Sequence, residues 1–236
     1  MRIVSLVPSI TEALASVRPD ALVGATDWCT HPADLEVTRV RGTKNPNLAR
    51  VRELQPDLVI ANKEENRELD VRRLREAGIR VEVTEIETVP EAVATYERLF
   101  DDVLGWDHPD WLAEARELWC GPLPPVTRRV AVPIWRDPWM VVGSRTFTGD
   151  LLRRLGWENV FGDTALNPAG DRYPHVDLAE VDEAGADVVL LPDEPYVFTA
   201  EDGPEAFTRT PTDLVSGRLI TWYGPSLVDA HRWAAG

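Results

Sequence analysis

Short apolar runs alternate with amphipathic segments over the first part of the chain. The runs are rich in Val, Ile and Leu and predict strands at 2–7, 21–26 and 57–62, and the alternating segment at 79–86 predicts a further strand. The segments between them have the spacing of helices with one apolar face, at 8–17, 45–56 and 65–78. Ser9 followed by Glu12 also predicts a capping box at the start of the first helix. Strands that alternate with helices favour parallel pairing, so we expect an α/β lobe here.

The pattern changes after residue 88 and returns near residue 130. Between Val89 and Cys120 the apolar spacing is helical, and the Pro-rich stretch CGPLPP ends this region. Strand-like runs then recur at 130–135, 187–192 and 218–222, and helical segments at 146–160, 177–186, 204–209 and 225–235.

The order of elements predicts an α/β protein with two Rossmann-like lobes. The lobes are expected at 1–88 and 126–236, bridged by a helical connector at 89–125. Open α/β sheets bind ligands beyond the carboxyl ends of their strands, so we expect a ligand cleft between the lobes.

Composition and charge exclude some classes of function. The 236 residues carry a net charge of -15, which argues against nucleic acid as a partner because phosphate binding needs a basic face. No run of 18 apolar residues occurs, so membrane insertion is not expected. The start, MRIVSLVPSITEAL, has no signal-peptide pattern, so the chain as written is expected to be cytoplasmic. A missing leader would make it periplasmic or otherwise extracytoplasmic.

Catalytic motifs are absent from the sequence. There is no glycine-rich phosphate loop, no nucleophile elbow and no paired-histidine zinc motif, and the four histidines are dispersed. We therefore predict no catalytic residues and no cofactor. Cys29 and Cys120 are far apart and are expected to form no disulfide.

Several segments, in order, resemble the helical-backbone, or class III, substrate-binding proteins of ABC importers. They are RIVSLVPSITEAL, ALVGAT, NPNLARVRELQPDLVIA, LREAGIRV, TFTGDLLRRLGWENVF and VDLAEVDEAGADVVLL. The resemblance is closest to the vitamin B12-binding branch and covers nearly the whole chain. It implies non-catalytic binding of a small macrocyclic or organometallic ligand, with cobalamin or another corrinoid first and a ferric siderophore second.

The resemblance also implies a set of pocket residues. In the stretch GATDWCTHPAD, His31 matches an aromatic of the B12 branch that contacts the corrin, and Trp28 lies beside it. Asn62 replaces a tryptophan of that branch. The remaining candidates follow predicted strand ends or match family ligand regions: Lys44, Lys63, Trp135, Trp139, Met140, Tyr173, Trp222 and Tyr223. The two lysines would favour an anionic ligand.

The family docks on its transporter through one carboxylate in each lobe. Glu68 matches the first docking acid, whereas the second falls at Ala179, with Glu180 adjacent. The partners implied are thus a small-molecule ligand and an ABC-transporter permease.

Other hypotheses remain open at this point. The GATDWCTHPAD stretch also fits a plain surface loop with a buried Trp28. A different class of function is a cytoplasmic metal-handling protein, or an enzyme, that holds zinc or iron across the cleft through His31 and His175. Such a site needs further N, S or O ligands.

Overall fold

The computed structural model describes residues 1–162 and 164–236 and divides into two compact units. The first comprises Met1–Ile86, Ala94–Ala113 and Tyr223–Pro225. The second comprises Glu87–Val93, Glu114–Trp222 and Ser226–Gly236. The predicted connector thus contributes residues to both units. The domain boundaries expected from the sequence stay a prediction.

The first unit is built on a parallel sheet with the order β3-β2-β1-β4-β5. Its strands are β1 (Ile3–Ser5), β2 (Leu22–Ala25), β3 (Thr38–Arg39), β4 (Leu58–Asn62) and β5 (Val81–Thr84). Its helices are α1 (Pro8–Ala15), α2 (Leu48–Glu53) and α3 (Glu68–Glu76). Val4, Val59 and Leu74 are buried in one core, where removal of their apolar surface from water stabilises the unit.

The helical region supplies α4 (Val89–Arg98), a π-helical turn at Leu99–Leu104 and α5 (Asp110–Trp119). It contains no strand, in agreement with its helical apolar spacing. Tyr96, Phe100 and Trp119 are among its fully buried side chains.

The second unit is built on a parallel sheet with the order β11-β10-β6-β9 and an antiparallel β7-β8 hairpin. Its strands are β6 (Arg128–Ala131), β7 (Pro133–Trp135), β8 (Met140–Val141), β9 (Trp157–Asn159), β10 (Val188–Pro192) and β11 (Thr212–Val215). Its helices are α6 (Phe147–Arg154), α7 (Leu178–Asp182), α8 (Gly217–Thr221) and α9 (Ser226–Ala234). Trp139, Phe161 and Phe198 pack in its core.

Each sheet has one point where the strand order reverses. In the first unit the chain moves from β1 toward β3 and then crosses to β4 on the other side of β1. In the second unit it moves from β6 to β9 and then crosses to β10 on the other side of β6. Loops at the carboxyl ends of such neighbouring strands splay apart and form binding crevices in α/β proteins.

Four local predictions were wrong. The segment at 204–209 forms a 3-10 turn at Pro204–Ala206 and not the predicted helix. The run at 218–222 belongs mostly to helix α8, and the last strand is β11 at Thr212–Val215. The predicted helix at 146–160 ends at Arg154, and residues 157–159 form β9. The capping box on Ser9 does not form, because Val7 is the N-cap of α1 and provides no side-chain bond.

Candidate functional site

The loop after β2 holds Trp28 at the surface of the first unit. Trp28 is 64% exposed, while the buried Cys29 thiol lies 3.0 Å from Thr11 Oγ1 and 3.1 Å from Thr26 Oγ1. Arg39 Nη1 donates to the Thr26 and Cys29 carbonyls at 3.0 and 2.7 Å. Burial raises the pKa of the Cys29 thiol, so this thiol anchors the loop as a neutral group. A fixed backbone thus presents an exposed indole.

Trp28 rests against Gly42. A Cβ atom at position 42 would lie 3.2 Å from Trp28 Nε1 and 2.7 Å from Asn45 Oδ1, so glycine permits this close approach. His31 is also exposed, and its Nδ1 lies 3.1 Å from Thr30 Oγ1. The hypothesis of a plain loop with a buried Trp28 was wrong on the burial of this side chain.

The predicted ligand residues near β4 are mostly engaged inside the first unit. Asn62 is 3% exposed, and its Oδ1 accepts a hydrogen bond from Glu64 N at 2.8 Å. Lys63 forms an ion pair with Glu85, which offsets its charge. Lys44 Nζ donates to the Glu64 carbonyl, and among the described residues it has no carboxylate within ion-pair distance. Of the two lysines, Lys44 therefore keeps the better capacity to attract an anion.

Tyr223 joins the first unit from a distant part of the chain. Its hydroxyl donates to Glu65 Oε1 at 2.6 Å, and the Tyr96 hydroxyl donates to the Ser9 carbonyl at 3.3 Å. Burial, reinforced by nearby carboxylate charges, raises the pKa of both tyrosines well above the ordinary value. Both phenols therefore remain protonated donors. Tyr223 is only 6% exposed, and its role in ligand binding stays a prediction.

The reversal point of the second sheet carries an exposed apolar surface. Trp135 is 44% exposed at the end of β7, and Val197 is 62% exposed in the loop after β10. The Trp135 and Tyr196 rings pack edge to face with centroids 5.7 Å apart. Met140 lies opposite Trp135 in the hairpin and is half-buried. We call Trp135, Tyr196 and Val197 the apolar face of the second unit.

Two other predicted tryptophans lie in the interior of the second unit. Trp139 is 8% exposed, stacks on Phe198 with centroids 6.0 Å apart and meets the edge of Phe207. Trp222 is 6% exposed, and its Nε1 donates to Glu194 Oε1. Burial raises the pKa of Glu194. Both indoles thus stabilise the unit, and their ligand-binding roles stay predictions.

Tyr173 and His175 follow one another on a segment beside the hairpin. Tyr173 is half-buried, and the exposed His175 forms an isolated bridge with Met140. Within residues 1–162 and 164–236, no group of three or more His, Cys, Asp or Glu side chains is arranged to hold a metal ion. The metal hypothesis on His31 and His175 thus gains no additional ligand in this part of the chain.

The two candidate docking acids are both exposed. Glu68 is the first residue of α3. Glu180 lies in α7, and its Oε2 accepts a hydrogen bond from Asp177 N at 2.7 Å as half of a capping box. Glu180 therefore has a local structural role in addition to its predicted one.

The sequence argument missed Arg39, Glu65, Tyr196 and Val197. Tyr196 and Val197 follow the strand at 187–192 within four or five residues of Pro192, so the strand-end rule applied elsewhere would have found them. Arg39 acts on carbonyl groups 10 and 13 residues away, and no local pattern signals such a contact.

No family model matches the sequence. The vitamin B12-binding protein of Vibrio cholerae serotype O1 is 32% identical over 210 residues, which cover 85% of this chain and 70% of that protein. The chain belongs to the class III substrate-binding proteins of ABC importers. The family predicted from the ordered motifs is thereby confirmed.

Solved structures of class III proteins share the fold. The periplasmic vitamin B12-binding protein BtuF of Vibrio cholerae has a TM-score of 0.76 at 20% identity, over 99% of this chain and 94% of that one. The periplasmic heme-binding protein BhuT, in complex with two hemes, has a TM-score of 0.72 at 20% identity, over 99% and 97%. The predicted α/β fold class is confirmed. None of the helices in the described residues is both long and apolar enough to cross a membrane.

Proposed function

We propose that this class III protein binds a corrinoid of the vitamin B12 type without catalysis and delivers it to the permease of an ABC importer. The name of its 32% identical relative supports the corrinoid, and membership in the class III family supports the importer. We further propose that it works outside the cytoplasmic membrane, since BtuF and BhuT are both described as periplasmic.

The observation that carries the proposal is an exposed tryptophan at the carboxyl ends of the strands in each unit. Trp28 follows β2 in the first unit, and Trp135 ends β7 in the second. Exposing a large indole to water is unfavourable, at about 25 cal/mol per Å² of apolar surface, so a ligand that covers either indole gains that energy. Flat rings with a polar handle suit a planar macrocycle with a polar edge.

A ferric siderophore is the second ligand class. Lys44 supports it, because its ammonium group is bonded to a carbonyl rather than to a carboxylate and so retains attraction for an anion. Lys63 supports it less, because Glu85 already pairs with it.

The proposal is tested by titrating the purified protein with cyanocobalamin, followed by calorimetry and by tryptophan emission. We expect Trp28→Ala and Trp135→Ala each to weaken binding about 10- to 100-fold, which corresponds to roughly 1.4–2.8 kcal/mol for a lost stacking contact. Both side chains are well exposed, so neither change should affect folding.

Trp157→Phe is the matched control. Trp157 begins β9, so it lies at the amino ends of the strands of the second sheet, and its loss should leave affinity unchanged. Equal weakening by all three variants would argue against the assigned surface. Absence of cobalamin binding at millimolar concentration would refute the corrinoid, and tight binding of a ferric siderophore or of bare zinc or iron would then identify the correct class.

A further inference from the structure

Arg145 lies on the ligand side of the second sheet, in the short segment between β8 and α6. Helix α6 connects β6 and its hairpin to the parallel neighbour β9. Such a crossover helix begins near the carboxyl ends of the strands and returns to their amino ends. Arg145 immediately precedes the N-cap Thr146, so it lies on the same side of the sheet as the apolar face.

The backbone of Arg145 is held in an unfavourable conformation. Its φ of 49° falls in the left-handed region, which costs energy for a residue with a Cβ atom. Strained non-glycine residues persist when the surrounding structure fixes them, and they cluster at functional sites.

Among the described residues, no carboxylate neutralises the charge of Arg145. Its Nη2 donates to the Gly170 carbonyl at 3.0 Å, and no carboxylate of the described residues lies within ion-pair distance. By contrast, Arg136, Arg154 and Arg172 of the same unit all form ion pairs with carboxylates. In a chain with a net charge of -15, an arginine that has no acidic partner in the described part of the chain is a local positive site.

A crevice of about 430 Å³ opens beside this guanidinium. It is lined by Arg145, Thr164, Asn167, Pro168, Ala169 and Gly170. Of the described residues that line it, none is a carboxylate and Arg145 is the one charged side chain. Asn167 shapes the crevice, because its Nδ2 donates to the Phe161 and Asp171 carbonyls at 3.1 and 2.8 Å.

We propose that the crevice is an oxyanion subsite and that it takes the phosphodiester in the nucleotide tail of the bound corrinoid. The inference rests on the proposed corrinoid-binding function. The tail would lie at Arg145 while the planar ring covers the apolar face of the same unit. A guanidinium forms strong, charge-assisted hydrogen bonds with phosphate oxygens, and the bond to Gly170 already orients this one.

The experiment compares two corrinoids that differ in the nucleotide tail, which contains this group. Cyanocobalamin carries the phosphodiester tail, whereas dicyanocobinamide lacks it. We expect Arg145→Gln to weaken cyanocobalamin binding about ten-fold and to leave dicyanocobinamide binding unchanged. Arg145→Lys should have an intermediate effect because it keeps the charge but loses the planar fork. Arg209→Gln, an exposed arginine of the same unit that pairs with Glu183, is the control and should change neither affinity.

Other outcomes would contradict the subsite, or would show whether the subsite or the proposed function has failed. If Arg145→Gln weakens both corrinoids equally, or neither, the phosphodiester assignment is wrong while corrinoid binding stands. If the wild-type protein binds no corrinoid, the proposed function fails, and titration with inorganic phosphate then tests the subsite alone. Phosphate binding that is lost in Arg145→Gln would support an oxyanion site, and absence of phosphate binding would overturn it.

Discussion

The carboxylate of Asp182 organises the loop before β11. It is 8% exposed and accepts hydrogen bonds from the backbone N–H groups of Thr208, Arg209 and Thr210 at 2.9, 3.1 and 2.9 Å. Burial alone would raise the pKa of Asp182, but these bonds to the charged form outweigh burial and lower its pKa to about 2.

We expect Asp182→Asn to lower the free energy of unfolding by about 2 kcal/mol at neutral pH. The contribution is fully present above the unfolded pKa of about 3.9 and is lost as the pH falls toward the folded pKa of about 2. Urea denaturation of both proteins between pH 7 and pH 2 should therefore show a difference that shrinks below about pH 4. A difference that stays constant down to pH 2 would contradict this account.

The exposure of individual tryptophans could not be predicted from the sequence. Trp28, Trp139 and Trp222 were all expected at a ligand surface because each follows a predicted strand or matches a family region. Trp28 is exposed, but Trp139 is covered by Phe198 and Phe207, which come about sixty residues later in the chain. Burial by such distant partners has no local signature, so residue type and position could not separate these indoles.

The loop at 26–31 acts as one element, held by the Arg39 guanidinium on two of its carbonyls. We infer that Arg39 positions Trp28 without touching the ligand. Arg39→Gln should weaken cyanocobalamin binding about five- to ten-fold, and Arg39→Lys less. In a Trp28→Ala background, Arg39→Gln should have little further effect, because the side chain that it positions is gone.

This double-mutant cycle separates positioning from a general effect on the unit. Arg50→Gln, which removes an exposed pair with Glu53, is the control and should change neither affinity nor stability by much. Fully additive losses for Arg39→Gln and Trp28→Ala would show that Arg39 does not act through Trp28.

Strands and helices were predictable where the apolar pattern was long and the flanking residues favoured the same element. β4 and β10 are buried on both faces and read as continuous apolar runs, as expected for central parallel strands. The run at 218–222 contains Leu, Ile and Trp and favoured a strand, but tertiary contacts fold it as α8. The two-residue strands β3 and β8 are too short to leave any period.

The whole molecule is strongly acidic, with a net charge of -15. Among its acidic residues, Glu68 at the start of α3 is the clearest candidate for docking on the permease. We expect Glu68→Lys to weaken association with the cognate permease about ten-fold or more, because a charge pair becomes a repulsion. Glu76→Lys, at the other end of the same helix, should have little effect. Co-purification with the permease at several salt concentrations, with ligand affinity measured in parallel, provides the test. Equal loss for both variants would indicate a general charge effect.

At the largest scale, the sequence predicted the class of fold and the family but not the path of the chain. The alternation of strands and helices implied two α/β units, and the ordered motifs implied class III proteins. The assignment of residues to the two units could not be predicted from the sequence. Tyr223–Pro225 joins the first unit through contacts such as that of Tyr223 with Glu65, 158 positions apart. Contacts over that separation leave no trace in local periodicity.

That late contribution to the first unit sets an order of events during synthesis. Protein synthesis adds about 5–20 residues per second. Domains generally fold as units during synthesis, and the amino-terminal domain folds first. Here the Glu65 side of the first unit waits for residues 223–225, which are translated only after residues 114–222 of the second unit. The first unit thus lacks these three residues while most of the second unit is translated, which gives chaperones or a translocation machinery time to engage an unfinished chain.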